Sequence, residues 1–345
     1  SYVADVYRGK VKAERSFFNL LLYLSMFPKM MQGPIVRYEQ VARQLMDRRT
    51  TPRAAFEGAQ RFIIGLAKKV LLADYAGKVV ASLSTGGGNG TFVGAWLAAL
   101  MFMFQIYFDF SGYSDMAIGL GHLFGFHFLE NFEHPYESRT VTEFWRRWHI
   151  SLGTWFREYV YIPLGGNRHG KARQILNLAI VWFLTGLWHG ASWNFVLWGL
   201  YYAVLLILEK LFLLRWLDKA PKWVGHVYTI FAFIMGWVLF AITDFTQLGA
   251  YLGHMFSGAL FDGTAAYLLR SFWLVLVLAA LTCVVGVVLV FRPMTGVRAL
   301  TALMGLSLLC DGVLNLSVAL CTVKIVDHQR PDVIETDDYE IGKDE

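Results

Sequence analysis

The sequence predicts an all-α, polytopic membrane protein in which many helices pack as a bundle. Of its 345 residues, 56% are hydrophobic, 16% aromatic and only 17% charged. The mean hydropathy is +0.44, and several apolar stretches approach the roughly 20 residues that cross a hydrocarbon core of about 30 Å. This composition argues against a soluble domain.

The apolar stretches, taken in chain order, indicate roughly eight to ten helices. The clearest spans are residues 92–108, 175–188, 193–214, 224–242, 267–291 and 300–323. Shorter apolar stretches, which fit short spans, re-entrant segments or helices lying flat on the membrane, are residues 17–31, 56–72 and 116–128.

The two ends of the chain differ from its middle. Residues 1–323 are predicted to form one membrane domain, and residues 324–345 are polar, acidic and predicted to be a disordered tail. The chain begins at Ser1 without the basic start and cleavage site of a signal peptide.

The charges and cysteines narrow the class of protein further. The net charge is +5, and basic residues gather at 37–53, 68–69 and 139–173, which the positive-inside tendency places in the cytoplasm. They form no contiguous stripe, so nucleic acid is not expected as a partner. Cys283, Cys310 and Cys321 show no metal-ligand spacing, and no metal site is predicted.

Residues 130–173 are too polar to span a membrane and too aromatic for a free loop. Thr140 followed by Glu143 is a capping-box start, and the residues after it predict one amphipathic, interfacial helix. Its predicted apolar face consists of Val141, Phe144, Trp145, Trp148, Leu152, Trp155, Phe156 and Tyr159. His149 lies at the edge of this face, where an isolated histidine is more often exposed to water than turned inward.

A second polar island interrupts an apolar region at residues 105–119. Asp109 and Asp115 would be costly against lipid, so they are expected to face the bundle interior, a water-filled cavity or the cytoplasmic mouth. Asp109 and Tyr113 are four residues apart and can meet on one helix face. A structural hydrogen-bond network and a polar cavity lining fit these residues equally well.

His189 ends a long uncharged run near the middle of the chain. A titratable side chain at membrane depth is costly unless it has a partner or a function, although a lone histidine there is more often structural. Gly186 and Gly190 flank it and leave room for another helix or a thin substrate.

Several ordered motifs resemble the membrane-bound O-acyltransferase family, most closely its bacterial alginate O-acetylation branch. They are FPKMMQGPIVRY at 27–38, DFSGYSDMAIG at 109–119, FWRRWHISLGTWFR at 144–157, GGNR at 165–168 and TGLWHGASWNF at 185–195. The resemblance covers residues 1–240. It implies a bundle with interfacial and re-entrant helices around a central tunnel, and that this chain lacks the family's first helices.

The resemblance also implies a function and a site. His189 matches the family's intramembrane histidine and His149 its second histidine, so both are expected to be catalytic, with His189 as general base or acyl relay. The tunnel candidates are Asp109, Tyr113, Asp115, Trp145, Arg146, Trp188 and Asn194. Arg146, Arg147, Arg157 and Arg168 are candidate phosphate contacts or positive-inside anchors.

The expected reaction moves an acetyl group from a cytosolic thioester, acetyl-CoA or a similar donor, toward hydroxyls of an exported polysaccharide. No bound cofactor is expected. The expected partners are membrane lipid and the polysaccharide or a periplasmic, esterase-like acetyltransferase. The expected location is the bacterial inner membrane, crossed several times.

Two alternatives remain open on the sequence alone. The same fold can transfer D-alanyl or other acyl groups, or the histidines and aspartates can form the proton pathway of a transporter or flippase. A haem-binding carrier fits less well, because the nine histidines do not fall at paired positions for axial ligation.

Overall fold

The computed structural model describes residues 1–30, 33–85, 88–263, 266–267, 269–271 and 273. The chain divides into two compact units, Ser1–Leu268 and Leu269–Glu345, and every element below belongs to the first. Thirteen α-helices lie within the described residues: α1 Tyr2–Tyr7, α2 Phe17–Ser25, α3 Tyr38–Met46, α4 Pro52–Ala67, α5 Asp74–Thr85, α6 Phe92–Leu123, α7 Val141–Arg147, α8 Ile150–Phe156, α9 Gly170–His189, α10 Trp193–Leu208, α11 Leu214–Lys219, α12 Lys222–Ala241 and α13 Phe245–Phe256.

The all-α prediction is confirmed for the described part of the chain. Its only β-type pairing there is an isolated antiparallel bridge between Phe132 and Trp148. The predicted spans at 267–291 and 300–323, the tail at 324–345 and the three cysteines lie almost wholly outside the described residues.

Three helical stretches among the described residues are long and apolar enough to cross a membrane. They are Phe92–Leu123, Trp193–Lys219 and Lys222–Ala241. The span predicted at 175–188 lies in α9, whose first turn carries Lys171 and Arg173 and which is not among the three.

The shorter apolar stretches take other forms than separate spans. Residues 17–30 contain the nine-residue α2, which is too short to cross a bilayer, and a 3₁₀ turn at Phe27–Lys29. Residues 56–72 belong to a helical run that continues from α4 through a π-helical turn, Lys68–Ala73, into α5. Most of 116–128 is the end of α6, so the polar island lies inside one 32-residue helix.

Two further π-helical turns occur in the described chain, Arg157–Tyr161 after α8 and Glu209–Leu213 after α10. A π-helical turn widens the backbone by one residue and often lies at a functional site. Both turns contribute to the cavity described below, through Arg157 and Lys210.

Helices α4 and α6 approach closely through two pairs of glycines. A Cβ on Gly58 would lie 2.6 Å from the carbonyl oxygen of Gly119, and one on Gly65 would lie 2.5 Å from that of Gly112. No side chain fits between these backbones, which is the close packing that small residues permit in membrane helices.

The prediction of one continuous interfacial helix after Thr140 is wrong. The Thr140 side chain accepts from the Glu143 amide at 3.0 Å and starts α7 where the capping box predicted. The helix stops at Arg147, and α8 begins only at Ile150. The bridge to Phe132 holds the backbone at Trp148, between α7 and α8, out of helical geometry.

The apolar face predicted for that helix is nevertheless the buried one. Val141, Phe144, Trp148, Leu152 and Phe156 are all buried. Val141, Phe144 and Trp148 join a core that includes aromatic residues of α10 and α12, in which the ring centroids of Phe144 and Phe233 are 3.8 Å apart. The break therefore changes the direction of the helix while its apolar face stays buried.

Candidate active site

The two candidate histidines border one cavity of about 620 Å³. Residues of α6 to α10 and α12 enclose it, and most of the lining is aromatic or aliphatic. Its ionisable and hydroxyl groups are Asp109, Thr142, Arg146, His149, Arg157, Tyr161, Thr185, His189 and Lys210. A mostly apolar cavity with a few polar groups is typical of a small-molecule site.

His149 lies at the break between α7 and α8. Its backbone has φ 47° and ψ 53°, the left-handed region that non-glycine residues seldom adopt. The Ile150 amide donates to the carbonyl of Asn131 at 3.0 Å, and the Glu133 amide donates to that of Arg147 at 2.9 Å. These bonds hold the strained turn and direct the imidazole inward, where only 6% of the residue is exposed.

The His149 imidazole has polar and aromatic neighbours. Its Nδ1 atom lies 3.1 Å from Asn131 Oδ1. The Phe110 ring packs edge-on against it with 4.7 Å between centroids. The polar contact comes from a residue 18 positions upstream, which sequence reasoning did not identify because nothing in the local pattern predicts the return of the chain.

His189 has a different environment. It ends α9, and aromatic rings surround it: Trp198 at 4.9 Å, Phe240 at 5.2 Å and Phe195 at 6.2 Å between centroids. The described residues offer its ring nitrogens no hydrogen-bond partner. The imidazole is thus held by packing alone, with its polar atoms available to a bound molecule.

Gly186, one of the two glycines singled out beside His189, permits the close approach that the sequence predicted, and Gly199 permits it from the facing helix. A Cβ on Gly186 would overlap the carbonyl oxygen of Phe195, and one on Gly199 would overlap that of Trp182. Helix α10 therefore lies directly against the end of α9, and this approach brings Trp198 onto the His189 ring.

Trp188 links the two histidines. Its ring centroid is 4.9 Å from that of His189 and 6.1 Å from that of His149, and all three residues line the cavity. Two imidazoles that are 40 residues apart in the sequence thus neighbour one indole ring.

Four of the seven tunnel candidates line this cavity, namely Asp109, Trp145, Arg146 and Trp188. Asp109 also binds Lys69 at 2.5 Å, so both interpretations of this aspartate hold. The expected meeting of Asp109 with Tyr113 does not occur, because the Tyr113 hydroxyl donates to the Met30 carbonyl at 2.9 Å.

The structure places Tyr113, Asp115 and Asn194 away from the cavity lining. Asp115 joins α6 to α4 by bonds to Arg61 at 2.9 Å and to Lys68 at 2.6 Å. The Asn194 amide donates to the Phe240 carbonyl at 3.0 Å, near the end of α12. Tyr113, Asp115 and the Asn194 amide nitrogen thus bind groups outside the cavity, a pairing that sequence spacing does not reveal, while Asn194 Oδ1 is buried without a hydrogen-bond partner among the described residues.

Glu209 is a buried carboxylate that the sequence reasoning passed over. It is 0% exposed and accepts from the amides of Val141 at 2.6 Å and Thr142 at 2.8 Å, and from the Thr142 hydroxyl at 2.6 Å. A carboxylate at a helix N-terminus satisfies the free amides of the first turn. The sequence feature that could have identified Glu209 is the presence of an acidic residue in the apolar run before Lys210.

No group of three or more His, Cys, Asp or Glu side chains suited to a metal ion occurs among the residues that the structure describes.

The comparison with protein families decides the relationship. The model of the membrane-bound O-acyltransferase family matches residues 11–251, more than half of the chain. The chain belongs to this family. His149, His189 and every residue that lines the cavity fall within the matched region.

The curated relatives that the chain matches differ in the acyl group and the acceptor that their names describe. The chain is 44% identical to a probable alginate O-acetylase of Pseudomonas fluorescens over 257 residues, 74% of this chain and 52% of the relative. It is 36% identical to a peptidoglycan O-acetyltransferase of Helicobacter pylori over 65% of this chain and 44% of the relative. A teichoic acid D-alanyltransferase of Bacillus subtilis is 27% identical over 62% of this chain and 56% of the relative. The chain thus spans about half the length of the curated relatives it matches.

Proposed function

We propose that this protein is a membrane O-acetyltransferase that moves an acetyl group from a cytosolic thioester toward hydroxyls of an exported polysaccharide. The acceptor is acetylated directly or through a periplasmic, esterase-like partner. The support comes from the family match and from higher identity to relatives named for O-acetyl transfer than to one named for D-alanyl transfer.

One observation carries this proposal, namely that two histidines far apart in the sequence border the same apolar cavity. Transfer of an acyl group to a hydroxyl needs a base for the hydroxyl proton and a site that excludes water from the thioester. Neutral imidazoles are suited to the first requirement, and the aromatic lining is suited to the second.

In the proposed reaction the acceptor hydroxyl gives its proton to an imidazole, and its oxygen forms a bond to the acyl carbonyl carbon. The carbon–sulfur bond breaks, and the leaving thiolate takes the proton. His189 acts as this base, or forms an acyl-imidazole that the hydroxyl then attacks. His149 positions the donor or shares the proton.

Acetyl-CoA or a similar cytosolic thioester is the proposed donor. Arg146, Arg157 and Lys210 bring positive charge to the cavity lining, which suits the phosphates of such a carrier, while the aromatic lining suits an acetyl thioester. We place the protein in the bacterial inner membrane, in contact with lipid. No bound cofactor takes part in the proposed reaction.

The test uses membranes that contain the full-length protein, acetyl-CoA labelled in its acetyl group and a polysaccharide with free hydroxyls. We expect label on the polymer with the native protein, and none with His189→Ala at equal protein levels. The control variant Trp216→Phe changes an exposed residue outside the cavity and should retain transfer.

Two results would redirect the proposal. Vectorial movement of a substrate without acyl transfer would support the alternative that the protein is a transporter or flippase. Transfer of D-alanyl but not acetyl groups would leave the proposed roles of the histidines unchanged and would mean that the donor carries a D-alanyl group.

A further inference from the structure

Asn131 lies at the centre of a buried polar cluster behind His149. Only 1% of Asn131 is exposed, and its Oδ1 atom lies 3.1 Å from the Ser151 amide nitrogen, 2.9 Å from Ser151 Oγ and 3.1 Å from His149 Nδ1. Its Nδ2 atom donates to Ser114 Oγ at 3.2 Å. The cluster joins α6, the segment after it and the start of α8.

The cluster fixes which amide atom faces His149. A backbone amide is always a donor, so the Asn131 atom beside the Ser151 amide has to be the oxygen. Ser151 Oγ in turn accepts from the Ile35 amide at 3.0 Å, and its hydroxyl proton goes to Asn131 Oδ1 at 2.9 Å, which is nearer than His149 Nδ1 at 3.4 Å. The orientation of the Asn131 side chain is therefore determined by its neighbours.

The orientation of Asn131 decides the tautomer of His149. An unprotonated Nδ1 would place two lone pairs 3.1 Å apart in a buried site, whereas an Nδ1–H donates a hydrogen bond to Asn131 Oδ1. The neutral imidazole then carries its lone pair on Nε2. The described residues give Nε2 no hydrogen-bond partner, and His149 lines the cavity.

We infer that Asn131 is a positioning residue that holds His149 as the Nδ1–H tautomer, so that its Nε2 atom accepts a proton in the cavity. This inference rests on the proposed function. It divides the roles of the two histidines, because the part of the chain that the structure describes gives His189 no polar partner that would fix its tautomer. His149 Nε2 takes the proton from the acceptor hydroxyl or from a protonated His189, and the thiolate later receives it.

The strained backbone supports the same role. His149 has φ 47°, and the pairing that stabilises this conformation involves the backbone of Asn131 as well, since the Ile150 amide donates to its carbonyl at 3.0 Å. One residue thus holds both the main chain and the imidazole of His149. Strain that is held in place beside a reactive side chain is a known feature of functional sites.

The first test compares two variants of the full-length protein. Asn131→Leu removes the acceptor and is expected to lower kcat about 100-fold with little change in KM for the donor. Asn131→Asp keeps an acceptor for Nδ1–H and should recover most of this loss. Its carboxylate also stabilises the imidazolium, so the acidic limb of the pH profile should move to higher pH.

Asn177→Leu is the matched control. Asn177 is also fully buried, and its amide bonds to the carbonyls of Leu164 and Gly166, far in the chain from His149. We expect lower thermal stability and an unchanged kcat per folded molecule. An equal fall in kcat for the two leucine variants, or no recovery and no pH shift in Asn131→Asp, would reduce Asn131 to a structural residue.

The second test does not depend on activity. The ¹⁵N shifts of His149 in histidine-labelled protein in lipid bilayers, assigned by the signal lost in His149→Gln, should report Nδ1–H at neutral pH. Asn131→Leu should mix the tautomers. A native Nε2–H tautomer overturns the inference, while a native Nδ1–H tautomer in a protein without transfer activity overturns only the proposed function.

Discussion

The environments of His149 and His189 differ although the two residues share a cavity. His149 has a strained backbone and an Nδ1 atom beside a buried amide oxygen, whereas the described contacts of the His189 ring are with aromatic rings. Hydrogen bonds fix the tautomer of an imidazole, while packing fixes only the plane of its ring. The comparison suggests one histidine with a set acid–base role and one that is free to exchange protons or to carry an acyl group.

The largest expected effect comes from removing either imidazole. His189→Gln and His149→Gln should each lower acetyl transfer by about 10³-fold, because each removes a group that handles a proton in the transition state. The double variant should be little worse than the poorer single one, since residues that act as a unit lose activity together. Initial rates of label transfer would measure these losses. A loss in the double variant equal to the product of the two single losses would show that the histidines act independently.

The second effect is expected at Glu209, which binds the first turn of α7, the helix that precedes His149. Glu209→Ala should lower the free energy of unfolding by about 3 kcal/mol, because it leaves the Val141 and Thr142 amides without their buried acceptor. Denaturation in detergent would measure the change. Glu209→Gln keeps the volume and one acceptor oxygen and should lose less, and equal losses would mean that both carboxylate oxygens are required.

The third effect is on the support of His189. Gly186→Ala should cost about 2 kcal/mol, because its Cβ would meet the backbone of Phe195 and push α10 away from α9. Gly249→Ala is the matched control, since a Cβ there meets nothing within 4 Å on a helix. It should stabilise the protein slightly. A Gly186→Ala variant as stable as Gly249→Ala would contradict the close contact of the two helices.

The smallest effect concerns the two aspartates of α6. Asp115→Asn should lower stability by about 1 kcal/mol, because it weakens the partly exposed pairs with Arg61 and Lys68. Asp109→Asn should change the KM for the donor as well, because Asp109 lines the cavity. Thermal denaturation and donor titrations of the two variants would test these separate roles. An altered KM in Asp115→Asn alone would contradict them.

Local patterns in the sequence were reliable where neighbours in the chain decide the structure. Thr140 starts α7 as its capping box predicts, and Gly186 permits the close approach expected of it. The sequence did not predict the break at His149, because the residues around it contain no helix-breaking proline or glycine and the bridge comes from Phe132. Asp115 and Asn194 were expected in the tunnel because their helical partners could not be identified from spacing.

By itself, the sequence determined the helical membrane class, the family and the two histidines, because hydropathy and ordered motifs are properties of the linear chain. The tertiary structure alone brought His149, Trp188 and His189 to one cavity and placed Asn131 behind His149. It also assigned Glu209 to the first turn of α7. These contacts join residues 18 to 68 positions apart, and only the folded backbone determines which distant polar atoms meet.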